Sequence, residues 1–419
     1  MARGNNPAPL PQRLSGKPAA PAARHSCAQA LAQELADLEA HNLRRRLQVV
    51  EEMLPGGQIR VEGRVLLNLS SNDYLGLAAD PRLIAAAQAA AARWGAGSTA
   101  SRLIVGTLAL HQEVEEAVAA FKGTPRAVLF NTGYMANVGV IAALMGRGDV
   151  ILSDKLNHAS IIDGMRLAEA SFYRFPHRDL ERLEALLQKH RQARRLLIVT
   201  DSVFSVDGDL APLREMAALK ERYGAWLMID EAHATGVLGP RGAGLAAALG
   251  LTEAVDIHLG TFSKALGSFG AYVAGSAALI ELLHNRARSF IYSTALPPPV
   301  LGAMQAALEI VQQEPDRRAY LQEQAALWRR RLQAGGLNTL TSETQIIPVL
   351  VGDNARALEY AAALRRQGLM VAAIRPPTVP PGGARLRLSL SAAHDPQALD
   401  RAAAAVVQVG RQLGLTASP

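Results

Sequence analysis

The chain has 419 residues, 49% of them hydrophobic, so it can bury a large core and is not an intrinsically disordered protein. The formal charge of +7 comes from scattered arginines without a zinc-finger, helix-turn-helix or RNA-binding signature, which argues against nucleic-acid binding. Cys27 is the single cysteine, so an internal disulfide and a cysteine-rich metal site are excluded. No apolar run reaches the roughly 18 residues that span a bilayer, and the start of the chain lacks the apolar centre of a signal peptide. We therefore expect a cytoplasmic protein that binds no metal and no membrane.

The N-terminal part is predicted to contain a tail and a helical arm. Residues 1–28 are rich in Pro, Ala and Arg, which indicates a disordered tail. The spacing of apolar and charged residues predicts a helix over residues 29–53, ended by the break Pro55-Gly56-Gly57. Residues 29–68 would form an arm of one helix and short strands.

The middle of the chain alternates short apolar runs with helix-like segments. This pattern is typical of a mainly parallel sheet with helices on both faces. The predicted strands are residues 127–130, 150–152, 196–199, 225–230 and 256–260. They belong to a large domain predicted at residues 69–300.

A second unit is predicted after the run Pro297-Pro298-Pro299. A long helix through residues 319–333 leads into it, and its predicted strands are residues 346–351, 370–373 and 385–390. The sequence therefore predicts an α/β protein with a large mainly parallel-sheet domain and a smaller α+β C-terminal domain at residues 301–419.

One lysine follows the last predicted strand of the large domain. Lys264 stands in Thr261-Phe262-Ser263-Lys264-Ala265-Leu266-Gly267, although lysine is scarce in this arginine-rich chain. A guanidinium stays protonated in proteins, whereas a partly buried ammonium can lose its proton and become an amine nucleophile. Lys264 therefore indicates Schiff-base chemistry.

Two further polar residues follow the predicted strand at 225–230. Asp230 ends this strand and His233 follows in the loop. Because ligands bind beyond the carboxyl ends of the strands of a parallel sheet, we expect Asp230, His233 and Lys264 to converge. Pyridoxal phosphate needs a lysine for its aldehyde, a carboxylate for its pyridinium nitrogen, and donors for its phenolate oxygen and phosphate. The three residues therefore predict a pyridoxal phosphate site.

These residues lie within ordered motifs of a known family. The motifs are Ser70-Ser71-Asn72-Asp73-Tyr74-Leu75-Gly76-Leu77, Asn157-His158-Ala159-Ser160, Val206-Asp207-Gly208-Asp209, Asp230-Glu231-Ala232-His233-Ala234-Thr235-Gly236 and Thr261-Phe262-Ser263-Lys264. Over about residues 44–394 the sequence resembles the α-oxoamine synthases, aspartate-aminotransferase-like enzymes of pyridoxal phosphate fold type I. The resemblance implies a homodimer that condenses L-alanine with a pimeloyl thioester, pimeloyl-CoA or pimeloyl-acyl carrier protein, with loss of carbon dioxide. Glycine C-acetyltransferase, 5-aminolevulinate synthase and serine palmitoyltransferase share this chemistry and remain alternatives.

The resemblance also implies a role for each matching residue. Lys264 would bind the cofactor covalently and remove the α-proton of the amino acid, Asp230 would pair with the pyridinium nitrogen, and His158 would stack on the ring beside the substrate. The implied contacts of the phenolate oxygen and the phosphate are His233, Ser205, Gly133, Tyr134 and Thr261, with Ser293 and Thr294 from a second subunit. The implied substrate contacts are Arg387 and Asn72 for the carboxylate, and Arg44 and Thr378 for the acyl partner.

Structural alternatives exist for several of these residues. His158 could simply follow an asparagine cap that opens a helix, and Asp230 could itself cap a helix. Arg387 could form a surface salt bridge, and Arg44 could belong to a solvated helix face. As a different class of function, the protein could be a cofactor-binding regulator without catalysis, but it retains Lys264 and has no DNA-binding module.

Overall fold

The computed structural model describes residues 26–416, which form one large sheet and two small ones. The tail predicted at residues 1–28 lies almost entirely outside the described residues. Within residues 26–416 no helix is long and apolar enough to cross a membrane. The division into domains and the cytoplasmic location stay predictions.

The N-terminal arm contains one exposed helix and three short strands, which are α1 (Cys27–Ala40), β1 (Glu52–Leu54), β2 (Gln58–Val61) and β3 (Arg64–Asn68). The predicted helix over 29–53 is therefore wrong beyond Ala40. Asn42 takes a left-handed φ of 55°, and no side chain of α1 is buried, so no packing stabilises further helical turns. Residues 52–54 pair with β2 instead.

The central sheet has seven strands, which are β4 (Arg126–Phe130), β5 (Val150–Asp154), β6 (Ser171–Phe175), β7 (Leu196–Asp201), β8 (Trp226–Asp230), β9 (Ile257–Thr261) and β10 (Ala271–Gly275). Their order is β4-β10-β9-β8-β7-β5-β6, and only β10 runs antiparallel to its neighbours. The five strands predicted for this domain are confirmed, and β6 and β10 were missed. Alternate side chains pack on opposite faces: Ile198 joins one apolar core, and Leu197 and Val199 join the other.

Helices cover both faces of this sheet. They are α2 (Pro81–Trp94), α3 (Ala109–Lys122), α4 (Gly133–Leu144), α5 (Ala159–Leu167), α6 (Leu180–Lys189), α7 (Leu213–Tyr223), α8 (Leu245–Ala248), α9 (Ala277–Arg286), α10 (Arg288–Ile291) and α11 (Pro298–Gln313). The mainly parallel α/β architecture is confirmed.

The C-terminal part contains α12 (Pro315–Ala334), β11 (Ile346–Gly352), α13 (Asn354–Arg366), β12 (Leu369–Met370), β13 (Ala372–Ile374), β14 (Ala384–Ser389) and α14 (Pro396–Gln412). The strand predicted at 370–373 is divided at Val371, because β12 pairs with β3 of the arm whereas β13 pairs with β14. Strand β14 lies between β11 and β13, and its arginines reach loops of the central sheet.

The motif at residues 206–209 joins the two parts of the structure. Asp207 forms an ion pair with Arg385 of β14, and the Gly208 carbonyl accepts hydrogen bonds from the backbone N–H groups of Glu343 and Thr344 at 2.9 and 3.1 Å. Gly208 has a φ of 69°, and a Cβ there would stand 2.0 Å from the carbonyl oxygen of Ile346. Only glycine allows this close approach.

His177 lies at the same junction, between two buried carboxylates. Its Nε2 is 2.8 Å from Asp209 Oδ2, and its Nδ1 is 3.1 Å from Asp154 Oδ1. Burial alone would lower the pKa of His177, but the hydrogen bonds to Asp154 and Asp209 outweigh it and raise this pKa to about 9.

We expect His177→Gln to lower the free energy of unfolding by about 2 kcal/mol at pH 6, an amount reduced for the partial exposure of this side chain. The imidazolium contribution is complete below the unfolded pKa near 6.5 and is lost as the pH rises through 9. Urea unfolding at pH 6 and pH 10 should therefore show a difference between wild type and variant that shrinks at the higher pH. His190→Gln is the matched control, since His190 stacks on Tyr173 without a carboxylate partner. A His177 effect equal at both pH values would contradict the assignment.

Candidate active site

The candidate site lies where neighbouring parallel strands end. Asp201 is the last residue of β7, Asp230 of β8 and Thr261 of β9, and Asp201 is in register with Asp230. Lys264 follows β9 and His233 follows β8 in short loops. The predicted convergence at the carboxyl edge of the sheet is thus present in the structure.

Asp230 is a buried carboxylate that accepts hydrogen bonds at both oxygens. Its Oδ1 accepts from the backbone N–H of Ala232 at 2.9 Å, and its Oδ2 accepts from Asn137 Nδ2 at 2.7 Å. No helix begins here, so the helix-cap alternative for Asp230 does not apply.

Lys264 and His233 are in direct contact. Lys264 Nζ lies 2.8 Å from His233 Nε2, and His233 Nδ1 lies 2.7 Å from the hydroxyl of Tyr74. Burial lowers the pKa of Lys264 to about 8, a shift that Asp230 and Asp201 limit. Burial, reinforced by the charge of Lys264, also holds the pKa of His233 well below its usual value. A neutral His233 can accept a hydrogen bond from the lysine ammonium at Nε2 and donate one through Nδ1 to Tyr74.

Arg387 is buried and reaches the same group of residues. Its Nη2 donates to Asn72 Oδ1 at 3.1 Å and to the Tyr74 hydroxyl at 3.2 Å, and its Nε donates to the Ser205 carbonyl at 2.6 Å. No carboxylate pairs with it among residues 26–416, so the salt-bridge alternative does not apply. Because the hydrogen-bond acceptors of Arg387 are neutral, its positive charge is not compensated by the protein and can pair with an anionic ligand.

His158 caps α5 with its own side chain. The backbone N–H of Ser160 donates to His158 Nδ1 at 3.3 Å, and the Ser160 hydroxyl is 2.7 Å from the same nitrogen. The alternative of an asparagine cap does not apply, because the Asn157 side chain instead donates to the Val199 carbonyl at 2.8 Å. The backbone N–H of His158 donates to Asp201 Oδ2 at 3.1 Å, which places His158 beside the strand ends.

The start of helix α4 presents donors suited to a phosphate. Helix α4 begins at Gly133, so the N–H groups of Gly133 and Tyr134 have no acceptor within the helix. No other atom lies within 4 Å of where a Gly133 Cβ would stand. Thr261 Oγ1 donates its one proton to the Gly270 carbonyl at 2.7 Å, so the phosphate contact predicted for Thr261 stays a prediction.

Other predicted residues lie apart from the Lys264 cluster. Arg44 pairs with Glu39 at 3.3 Å, and the neighbouring Arg45 is the residue that donates to Thr378 Oγ1, at 3.3 Å. The Thr294 carbonyl accepts from Asn131 Nδ2 at 2.9 Å, close to the start of α4. The roles predicted for Arg44, Thr378, Ser293 and Thr294 stay predictions.

Sequence reasoning missed several residues that contact the cluster. Tyr74 joins His233 to Arg387, and it stood in the quoted motif at 70–77 without an assigned role. Asn137 was a usable signal, since it is a lone buried amide in the otherwise apolar helix α4. Asp201 is buried, and burial together with neighbouring Asp230 raises its pKa well above the usual range.

The comparisons with known proteins agree with this geometry. The sequence model described as aminotransferase class I and II matches residues 64–406, and the chain belongs to this family. Within it, the chain is 52% identical to the 8-amino-7-oxononanoate synthase of Geobacter sulfurreducens, over 92% of this chain and 99% of that protein. It is 55% identical to the enzyme of the same name from Anaeromyxobacter dehalogenans, over 90% and 94% of the two chains.

Solved structures share the fold. Serine palmitoyltransferase of S. paucimobilis, with a bound pyridoxal phosphate–myriocin adduct, superimposes with a TM-score of 0.89 at 32% identity, covering 94% of this chain and all of that one. An 8-amino-7-oxononanoate synthase from Francisella tularensis gives a TM-score of 0.73 at 28% identity, covering 83% and 98% of the two chains. The fold type I prediction is confirmed.

The residues present fit the predicted pyridoxal phosphate. The site offers a lysine with a lowered pKa, an Asp230 carboxyl group held by neutral donors, and free N–H groups at the start of α4. These are the amine, the carboxylate and the anion site that this cofactor requires.

Proposed function

We propose that the protein is a pyridoxal phosphate-dependent 8-amino-7-oxononanoate synthase of biotin biosynthesis. It condenses L-alanine with a pimeloyl thioester: the α-proton is removed, the α-carbon bonds to the thioester carbonyl, and the thiol carrier leaves. Carbon dioxide is then lost and a proton returns to the α-carbon, which gives 8-amino-7-oxononanoate. The observation that carries the proposal is the contact of Lys264 with His233 beside Asp230 and Arg387, in a chain about half identical to enzymes of that name.

Each residue of the site has a separate role in binding the cofactor or the substrate. Pyridoxal phosphate, when bound, supplies an electron sink for negative charge at the α-carbon. Asp230 would face its pyridinium nitrogen, the start of α4 would hold its phosphate, and Lys264 would bind it covalently. Arg387 would bind the carboxylate of alanine through its guanidinium, with Asn72 holding that guanidinium in place.

Proton transfer is assigned to Lys264. Its pKa of about 8 leaves a neutral fraction near physiological pH, so the amine can accept the α-proton. His233 accepts a hydrogen bond from the resulting ammonium at Nε2, and the Tyr74 hydroxyl contacts Nδ1, the other nitrogen of the His233 ring. Because Tyr74 and His233 are buried and Lys264 is partly buried, bulk water competes little for this proton.

The test of the function is a substrate panel scored by thiol release and by mass spectrometry of the product. We expect L-alanine with a pimeloyl thioester to be the fastest pair, with glycine slower by about 1–3 kcal/mol in activation free energy, the discrimination that one methyl group allows. Acetyl and succinyl thioesters should react poorly. Faster turnover of glycine with acetyl-CoA would assign the chain to glycine C-acetyltransferase instead.

We also propose that the active form is a homodimer. Leu103, Ile104 and Val105 are more than half exposed, and Tyr292 is 72% exposed beside the predicted partner contacts Ser293 and Thr294. An apolar surface of this kind next to the start of α4 suits a second copy of the chain.

The dimer is tested by complementation between two inactive variants. A Lys264→Ala subunit mixed with a Thr294→Arg subunit is expected to recover about a quarter of wild-type activity, because about half of the dimers are mixed and each mixed dimer contains one complete site of two. Each variant alone is the control. Full activity in a preparation shown by ultracentrifugation to be monomeric would refute the shared site.

A further inference from the structure

A chain of hydrogen bonds links His158 to Asp230 through two buried residues that the function has not used. Asn137 Nδ2 lies 2.7 Å from Asp230 Oδ2 and 2.9 Å from Ser160 Oγ, and Ser160 Oγ lies 2.7 Å from His158 Nδ1. Asn137 and Ser160 are at most 1% exposed, so their side chains bond to these protein groups and not to bulk water. Two residues with predicted cofactor roles are thus joined inside the protein.

The chemistry of the groups fixes the direction of each hydrogen bond. The Asn137 amide must present its NH₂ to Asp230, because its oxygen would otherwise face a carboxylate oxygen. The same nitrogen donates its second proton to Ser160 Oγ, and Asn137 Oδ1 is buried without a donor among the described residues. Ser160 therefore accepts from Asn137 and turns its own proton toward His158 Nδ1.

We propose that Asn137 and Ser160 are positioning residues. Together they hold His158 as the neutral tautomer protonated on Nε2 and fix the orientation of the Asp230 carboxyl group. This inference rests on the proposed function, since the roles of His158 and Asp230 come from it. With Nδ1 accepting from Ser160, the ring keeps one orientation, and Asp230 keeps one oxygen fixed by Asn137 and the other by Ala232. The pair would set two cofactor contacts at once, the ring face at His158 and the ring nitrogen at Asp230.

Other charged groups also act on His158. Burial lowers the pKa of His158, Asp230 and Asp163 oppose this, and Lys264 adds to it. Asp201 accepts from the backbone of His158 and not from its ring. The Ser160 hydroxyl, at 2.7 Å from Nδ1, is therefore the main donor that selects the tautomer, and the backbone N–H of Ser160 adds a longer contact at 3.3 Å. The charged groups act at longer range.

The experiment is ¹⁵N NMR of the holoenzyme with labelled histidine, in which His158→Gln assigns the resonances and no substrate is present. We expect wild-type His158 to show an unprotonated Nδ1. Ser160→Ala should mix the two tautomers and raise the pKa of His158 by about 0.5 to 1 unit, the size of one hydrogen bond to the neutral ring. It should also lower kcat up to about tenfold with little change in the KM for alanine.

Matched variants separate positioning from loosening of the fold. Asn137→Ala should act in the same direction, and the Asn137→Ala/Ser160→Ala double variant should add little to Ser160→Ala, because both act through one chain. Ser160→Thr should restore the wild-type tautomer. Ser153→Ala removes another buried hydroxyl, one that contacts Asn157 and not the His158 ring, and should leave the spectrum unchanged. A proton on Nδ1 in wild type, or an unchanged Ser160→Ala spectrum, would overturn the proposal, even if the product assay confirmed the function.

Discussion

Lys264→Ala is expected to lower kcat by about 10⁴-fold or more, since it removes both the amine that binds the cofactor and the base that accepts the α-proton. The structure gives this lysine a pKa of about 8 and a direct contact with His233. Borohydride treatment of the wild type should fix pyridoxal phosphate to Lys264. Steady-state assays and peptide mapping measure the two effects.

The control is Lys155→Ala, which changes an exposed lysine near the end of β5. It should keep wild-type turnover and the same labelled peptide. Reduced cofactor found on Lys155 or on the buried Lys122 would move the nucleophile away from Lys264 and end the present assignment. Lys122 is a poor candidate, because it forms a buried ion pair with Glu231.

Asp230, His233 and Lys264 could be placed from the sequence because each follows a short apolar strand. Parallel neighbours bring their carboxyl ends to one edge, so local patterns were sufficient to predict a long-range meeting. Arginine and leucine alternate in residues 385–388, so Arg385 and Arg387 share one face of the strand, and both reach the loop after β7.

Features that depend on distant pairing were not predictable in this way. Tyr74 meets His233 across 159 positions of sequence, and no local period marks that contact. Val371 divides a continuous apolar run between two sheets because β3 supplies a second partner for residues 369–370. The predicted helix does not continue beyond Ala40 for a similar reason. Residues 52–54 form a strand stabilised by pairing with β2, which local helical propensity does not reveal.

Ser160 and Asn137 show what a polar residue in an apolar segment can signify. Ser160 lies in the first turn of α5 and Asn137 in the second turn of α4, and both are buried, where an unpaired polar group would be costly. An amide in an apolar helix is a signal in the sequence, but only the structure connects Asn137 to Asp230. Local patterns therefore indicated Asp230, His233 and Lys264 but not the buried residues that contact Asp230 and His158.

Arg387→Ala is expected to lower kcat/KM for alanine by about 10²- to 10³-fold, mainly through a higher KM, because a buried charge-assisted contact with the substrate carboxylate is lost. The positive charge of Arg387 also depresses the pKa of Lys264. Its removal should therefore raise that pKa above about 8 and move the acid limb of the kcat profile, which reports the free Lys264 amine of the substrate complex, to higher pH. Assays from pH 6 to pH 10 measure both changes.

Arg385→Ala separates this effect from simple damage to β14. Arg385 lies two residues away on the same face of the strand, but it pairs with Asp207 and has no contact with Asn72 or Tyr74. Its loss should lower the melting temperature without a selective rise in the KM for alanine or a shift of the acid limb. Equal KM values for alanine in Arg387→Ala and Arg385→Ala would contradict the carboxylate role, because both variants would then report only weaker docking of β14. A selective defect in Arg387→Ala, with cofactor absorbance retained, would place the substrate carboxylate at the guanidinium that Asn72 and Tyr74 hold.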